Sequence, residues 1–159
     1  MSAAPHNRGG APVGQVAHME GLEAASVLYL RLWCDSAGSR QAVRDDFAQA
    51  LGPDHGGAAA DAWDALMELC TEHCRRPLMR HAVTCRCLGA DESCFANFIA
   101  AAATGAREDA MLMATLIVRA DMAPVFTSLA CECGLALKCM ALAAPRDMAR
   151  RAAAPATLH

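Results

Sequence analysis

The sequence predicts an all-α protein, a single-domain helical bundle of five to seven helices with disordered termini. Three observations carry this. Apolar residues recur at helical spacing through residues 15–143, and runs that alternate apolar with polar are nearly missing. Hydrophobic residues make up 55% of the chain, much of it alanine, while aromatics make up only 4%. Alanine is the best helix former and is depleted in strands, and small side chains suit closely approaching helices. Finally, 159 residues fit one domain. At that size roughly 70% of the unfolded chain's surface can be buried, so the core needs no disulfide or metal staple.

The elements follow in order. Residues 1–14 are rich in Gly, Pro and Ala without periodicity, and read as a disordered arm. From Gln15 to Cys34, Met19, Leu22, Ser26, Leu30 and Trp33 share one helical face, which Val16, Val27 and Cys34 widen. Ser39 is placed to cap a helix from Arg40 to Leu51, with Val43, Phe47 and Leu51 inward and Arg40, Arg44, Asp45 and Asp46 toward water. Gly52 to Gly57 reads as a loop. A helix from about Ala58 to Arg76 then carries Trp63, Leu66, Met67, Cys70 and Cys74 on one stripe, and Pro77 stops it.

Leu78 to Cys85 is read as a short helix, with Gly89 as a stop. Asp91 caps the next helix, to Thr104, with Cys94, Phe95, Phe98 and Ile99 inward; Asp91 and Glu92 suit the positive end of its dipole. After Gly105, Arg107 to Ile117 is expected to pack through Met111, Leu112, Thr115 and Leu116. Asp121 caps a last helix with Pro124 in its first turn and Val125, Phe126, Leu129, Cys133, Leu137 and Met140 buried. Residues 144–159 lack apolar periodicity and read as a disordered tail, so residues 1–13 and 146–159 are expected to be dispensable. The expected core is Trp63, Leu66, Phe95, Phe98, Ile99, Leu116, Phe126, Leu129 and Leu137.

Composition narrows the function classes. The net charge of −3 and pI near 6.0 argue against nucleic-acid binding, which usually needs a basic domain. No apolar run reaches the roughly 18 residues of a membrane span, and the N-terminus has no apolar signal region. The chain is therefore expected to be cytoplasmic, with its nine cysteines as reduced thiols. Richness in arginine and alanine, with Lys138 as the only lysine, points to a GC-rich bacterial genome. There is no repeat of solenoid length, and no GxGxxG, P-loop, HExxH or GxSxG motif that would name an enzyme.

Chemistry concentrates between Cys70 and Cys94, which hold five of the nine cysteines, two of the six histidines and four arginines. In a helix, His81 and Cys85 would lie one turn apart, with Cys87 just beyond. Cys74 from the preceding helix, or His73 or Cys94, would complete a tetrahedral N/S set suited to zinc. Against this stands the plainer reading of Cys70, Cys74 and Cys94 as small core residues, the commoner fate of free cysteine. Arg75, Arg76, Arg80 and Arg86 form a candidate contact for an anion or a partner protein, or simply balance Glu68, Glu72, Asp91 and Glu92. Two function classes follow: a small interaction or regulatory protein, acting on a partner protein or a second copy of itself, with a structural zinc at 73–94; or a thiol-dependent enzyme or redox sensor using Cys85 and Cys87. A third reading starts from the helical CxxxC pair Cys70/Cys74, with Cys131, Cys133 and Cys139 on a later helix. This resembles the bacterial copper-storage four-helix bundles, and the resemblance implies Cu(I) held by thiolates. Those bundles carry many more CxxxC pairs than the one present here.

Overall fold

The computed structural model describes the backbone of residues 8–153 and the side chains of residues 8–141. Over that range six helices pack around one core: α1 (Gly21–Asp35), α2 (Ala37–Leu51), α3 (Pro53–His73), α4 (Ala90–Ala103), α5 (Arg107–Ile117) and α6 (Ala123–Ala153). The helical bundle is as the periodicity predicts. Residues 1–7 of the expected arm and residues 154–159 of the expected tail lie outside the described residues.

The core is organised by a line of rings. Tyr29, Phe47, Trp63, Phe95, Phe98 and Phe126, six of the seven aromatic residues, contact one another in sequence from α1 and α2 through α3 and α4 to α6. Centroid separations run from 4.6 Å for the stacked Phe98–Phe126 pair to 6.5 Å for Phe95–Phe98. These are the offset and edge arrangements that the ring quadrupole favours. Around this line the filler is small: Ala60, Ala102, Ala110, Ala114, Ala123 and Ala130 are all buried.

Helices filled this way can approach closely. On α3, a Cβ at Gly56 would stand 2.4 Å from the Phe47 carbonyl oxygen and 2.5 Å from the Ala48 Cα. On α6, a Cβ at Gly134 would stand 2.8 Å from the Ala103 Cβ of α4. Both glycines mark crossings where two backbones meet. The α2–α3 junction is equally short. Gly52, at φ 83°, turns the chain in a conformation that side chains rarely adopt, and Pro53 begins α3 at once. The loop expected from Gly52 to Gly57 is thus the first turn of a helix. The cap of α2 is Ser36, whose Oγ accepts from the Ser39 amide, rather than Ser39 itself.

Helix α5 departs most from the expected packing. Its buried residues are Ala110, Ala114 and Ile117, while Leu112 and Leu116 are 67% and 70% exposed. The larger leucines suggested the opposite face. The alanines win because they let α5 lie close against α4 and α6. Leu129 is likewise only partly buried. Arg40 and Arg44 are not merely solvated: Arg40 lies 3.9 Å over the Trp33 ring, and Arg44 bridges to Asp61 and Asp64 of α3.

The backbone of α6 continues to Ala153, beyond the end expected near Ala144. Its Ala123–Ala141 stretch is long and apolar enough to cross a membrane by length and composition, contrary to the expectation from sequence. Here it packs against α3 and α4 with Phe126, Ala130, Cys133 and Leu137 buried. A core helix meets the same criterion.

A second departure is a small antiparallel sheet where none was expected. Strand β1 (Pro12–Gln15) pairs with β2 (Cys87–Gly89), placing Pro12 opposite Gly89 and Gln15 opposite Cys87. The Val16 amide donates to the Arg86 carbonyl at 3.0 Å, and the Ala90 amide to the Ala11 carbonyl at 3.1 Å, so the pairing extends beyond both strand ends. The segment from Arg8 onward, expected to be disordered, is therefore docked. Its lack of apolar periodicity was a poor guide, because main-chain hydrogen bonds rather than side chains hold it.

The glycine at the α2–α3 crossing gives a paired test. Gly56→Ala is expected to lower stability by about 1–3 kcal/mol, the usual cost of overpacking. Gly57→Ala, whose Cβ would meet nothing within 4 Å, is expected to raise it by about 0.4–1 kcal/mol through loss of unfolded-state entropy. Urea denaturation midpoints read both, and equal shifts for the two variants would contradict the close crossing.

Candidate functional site

The site is assembled on the first turn of α4. Asp91 and Glu92 both lie there, at the positive end of the helix dipole, and both side chains turn back to receive the irregular segment 74–86 and strand β2. Asp91 takes a bidentate pair from Arg76 at 2.6 and 2.7 Å and the Met79 amide at 2.8 Å. Glu92 is wholly buried and accepts the Gly89 amide at 2.8 Å, the His81 amide at 3.0 Å, and Nδ1 of the His81 ring at 3.1 Å. A carboxylate only accepts, so the His81 proton sits on Nδ1.

The counter-charge of Glu92 comes from α1. Arg31 is 2% exposed, and its Nε and Nη2 pair with the two Glu92 oxygens at 2.7 and 2.9 Å. The remaining donors reach three main-chain carbonyls. Nη1 meets Ala82 at 3.2 Å and Cys85 at 2.6 Å, and Nη2 meets Cys87 at 2.7 Å. All five guanidinium N–H groups are thereby used, and this is what lets a buried cation persist. Burial alone would push the Glu92 carboxyl up. The Arg31 guanidinium and the Gly89 and His81 amides outweigh it and hold it at about 2. Burial opposes the Asp91 shift too, but Arg76 and the Met79 amide bring that carboxyl below its usual value. Arg31 is itself raised, chiefly by its hydrogen bonds to Glu92.

The zinc set predicted from His81, Cys85, Cys87 and Cys74 is not brought together. Segment 78–85 is not a helix, so the one-turn spacing of His81 and Cys85 does not arise. The His81 ring is engaged by Glu92 and packs on Gly89, at 3.1 Å from where a Cβ would stand. Cys74 is tied elsewhere. Its Sγ donates to the Thr71 carbonyl at 3.5 Å, and its backbone bridges Val118. His73 lies beside Glu72, and Cys94 sits on α4 near Asp91 and Arg76. Among the described residues no group of three or more His, Cys, Asp or Glu side chains could hold a metal ion.

The copper reading meets the same obstacle. Cys70 is pushed up to about 12 by burial and by neighbouring Cys74 and Cys34, so its thiolate is strongly disfavoured. On α6, Cys133 is buried, Cys131 half-buried and Cys139 exposed, so the three face different surroundings.

The four arginines also separate. Arg76 is taken by Asp91, Arg75 Nε donates to the Val118 carbonyl at 3.3 Å, Arg80 reaches the Cys34 carbonyl at 3.0 Å, and Arg86 is exposed beside β1. They do not converge on one anion site.

Cys85 and Cys87 do come together. Both are half-buried free thiols, and the neighbouring Cys85 thiol pushes Cys87 up from its ordinary value. Both carbonyls of this pair are also held by Arg31. The residue missed in the sequence is Arg31 itself. Its signal was present: an arginine inside the apolar run Leu28-Tyr29-Leu30-Arg31-Leu32-Trp33, one helical turn after Val27. No family model, curated protein or solved structure matches this chain.

Because Glu92 and Asp91 are held below their ordinary values, they stabilise the fold at pH above about 4.5, and that contribution is lost as pH falls toward 2. Glu92→Gln leaves the Arg31 charge buried without its partner and is expected to cost about 3–5 kcal/mol at neutral pH. The same variant should lose less stability than wild type on acidification from pH 5 to pH 3. Urea unfolding at a series of pH values measures both, and an unchanged acid limb would contradict the assignment.

Proposed function

We propose that this is a small regulatory protein that senses oxidants through the Cys85/Cys87 dithiol and reports the state of that pair to a partner protein. The observation that supports this reading is a double use of two residues. Their thiols are near enough that Cys85 raises Cys87, and their carbonyls are two of the acceptors of a buried guanidinium. A bond between sulfurs two residues apart requires new backbone angles at 85–87. In this reading those angles would turn the carbonyls away from Arg31 and leave buried donors unsatisfied, at about 1–3 kcal/mol each or more for a charged group. Chemistry at sulfur is thereby converted into release of segment 78–89.

The reaction balances with a peroxide as oxidant. The Cys85 thiolate attacks the peroxide oxygen, forming the sulfenic acid and releasing an alcohol or water. The Cys87 sulfur then attacks the Cys85 sulfur, the S–S bond forms, and water leaves with the Cys87 proton. Two thiols are oxidised and one peroxide bond is reduced. A reducing cytoplasm would reset the pair by thiol–disulfide exchange. The partner would find apolar contact beside the switch. Leu116 of α5 borders a hollow shared with Arg76, Leu78, Asp91 and Cys94, and Leu112 stands one turn away, exposed.

Limited treatment with hydrogen peroxide tests the reading by peptide mass and amide hydrogen exchange. The expected first product is a peptide containing Cys85 and Cys87 lighter by two hydrogens, with faster exchange across 78–89. Cys85→Ser and Cys87→Ser should each abolish both changes. Earlier oxidation of other cysteines, or unchanged exchange in the disulfide form, would overturn it.

A further inference from the structure

A second feature lies on the other side of segment 74–86, independent of the dithiol. A partly enclosed cavity of about 200 Å³ opens between α1, α3 and this segment. Leu30, Met67 and Cys70 are buried at its floor, and Cys34 and Cys74 form half-buried sides. Arg80 stands exposed at its mouth. The walls are mainly hydrocarbon and sulfur, with Thr71 the one hydroxyl side chain in the lining. Burial raises Cys34, and it raises Cys70 to about 12, so these thiols are neutral and act as soft apolar surface rather than as nucleophiles or metal ligands.

Arg80, unlike Arg76, has no carboxylate partner among the described residues. Its partners among the described residues are the Cys34 carbonyl, 3.0 Å from Nη2, and the Cys34 thiol. Neither is a carboxylate. Arg76, three residues before the segment's Met79, has Asp91, and Arg31 has Glu92. The pocket thus has an apolar interior and one uncompensated cation at its rim, with free N–H groups in the fork geometry that matches a carboxylate.

We infer that this pocket binds an apolar monocarboxylate, with the hydrocarbon against Leu30, Met67 and Cys70 and the carboxylate on Arg80. The size fits. A cavity of about 150 Å³ accepts benzene, so one slightly larger accepts a ring or branched chain of roughly six to eight carbons. The same chemistry is offered by a free small acid and by the end of a fatty acyl chain, and ligand length separates the two.

The test is titration of the full chain, labelled at the methionine methyls, with phenylacetate, phenylacetamide and hexadecanoate, read by the Met67 methyl signal. The expected result is a saturable shift with phenylacetate, at least tenfold weaker binding of the uncharged amide, and at least tenfold weaker phenylacetate binding in Arg80→Gln. Arg80 is exposed, so that variant is expected to keep the wild-type melting temperature. Arg80→Lys should retain part of the affinity. Tighter binding of phenylacetate than of hexadecanoate assigns a small free acid and supports the inference, because a sixteen-carbon chain exceeds the cavity; tighter binding of hexadecanoate would overturn it. No shift of the Met67 signal with either acid, equal affinity for acid and amide, or wild-type affinity in Arg80→Gln would overturn it. Cys85→Ser should leave this binding unchanged, which keeps the result separate from that of the dithiol.

Discussion

The buried pair of Arg31 and Glu92 is the constraint on which the irregular part of this protein depends. Segment 74–86 has no regular structure to satisfy its own main chain, so its polar groups need partners elsewhere. The pair supplies them. Glu92 accepts the amides of His81 and Gly89, and Arg31 donates to the carbonyls of Ala82, Cys85 and Cys87. Two charges taken out of water are a liability unless every donor and lone pair is engaged. Here each charge is neutralised by the other, and the remaining capacity is used to order the loop. One electrostatic contact between α1 and α4 thus orders the loop that leads into α4, far from α1 in sequence.

The rest of the fold is of a different kind. It rests on ring contacts through Trp63 and Phe95 and on small residues that let helices approach at Gly56 and Gly134. Such packing is short-ranged and tolerates little change in volume. The two systems meet at α1. Leu30 and Trp33 belong to the apolar core, while Arg31, between them in sequence, turns toward Glu92. The β1 strand closes the arrangement from outside by pairing with β2, so the N-terminal segment covers the loop that Arg31 holds from within.

This division also separates the thiols into two kinds. The thiols in the helical core, Cys70 and Cys133, are buried and hard to ionise. Those on the loop, Cys85 and Cys87, are half-buried and next to one another. Loops positioned by a rigid scaffold commonly carry function, and here the scaffold's grip on the loop runs through the same residues that carry the sulfur. The pocket under Arg80 lies along the same loop, bounded by the apolar faces of α1 and α3.

By itself the sequence determined the helical class, most of the helix positions, and the buried stripe containing Trp63, Leu66, Phe95, Phe98, Ile99, Phe126 and Leu137. Those follow from periodicity and propensity, which are local properties. It also marked the stretch from Cys70 to Cys94 as the place where the pattern breaks. It did not determine which face of α5 is buried, because alanines and leucines compete there and only the distance to neighbouring helices decides. It did not determine the β1–β2 pairing either, since main-chain hydrogen bonds leave no apolar signature. Above all, it could not say that Arg31 would meet Glu92, 61 residues away, or that this contact would turn His81 from the cysteines toward a carboxylate. Pairing of buried charges depends on which helices adjoin, and that is a property of the packed chain alone.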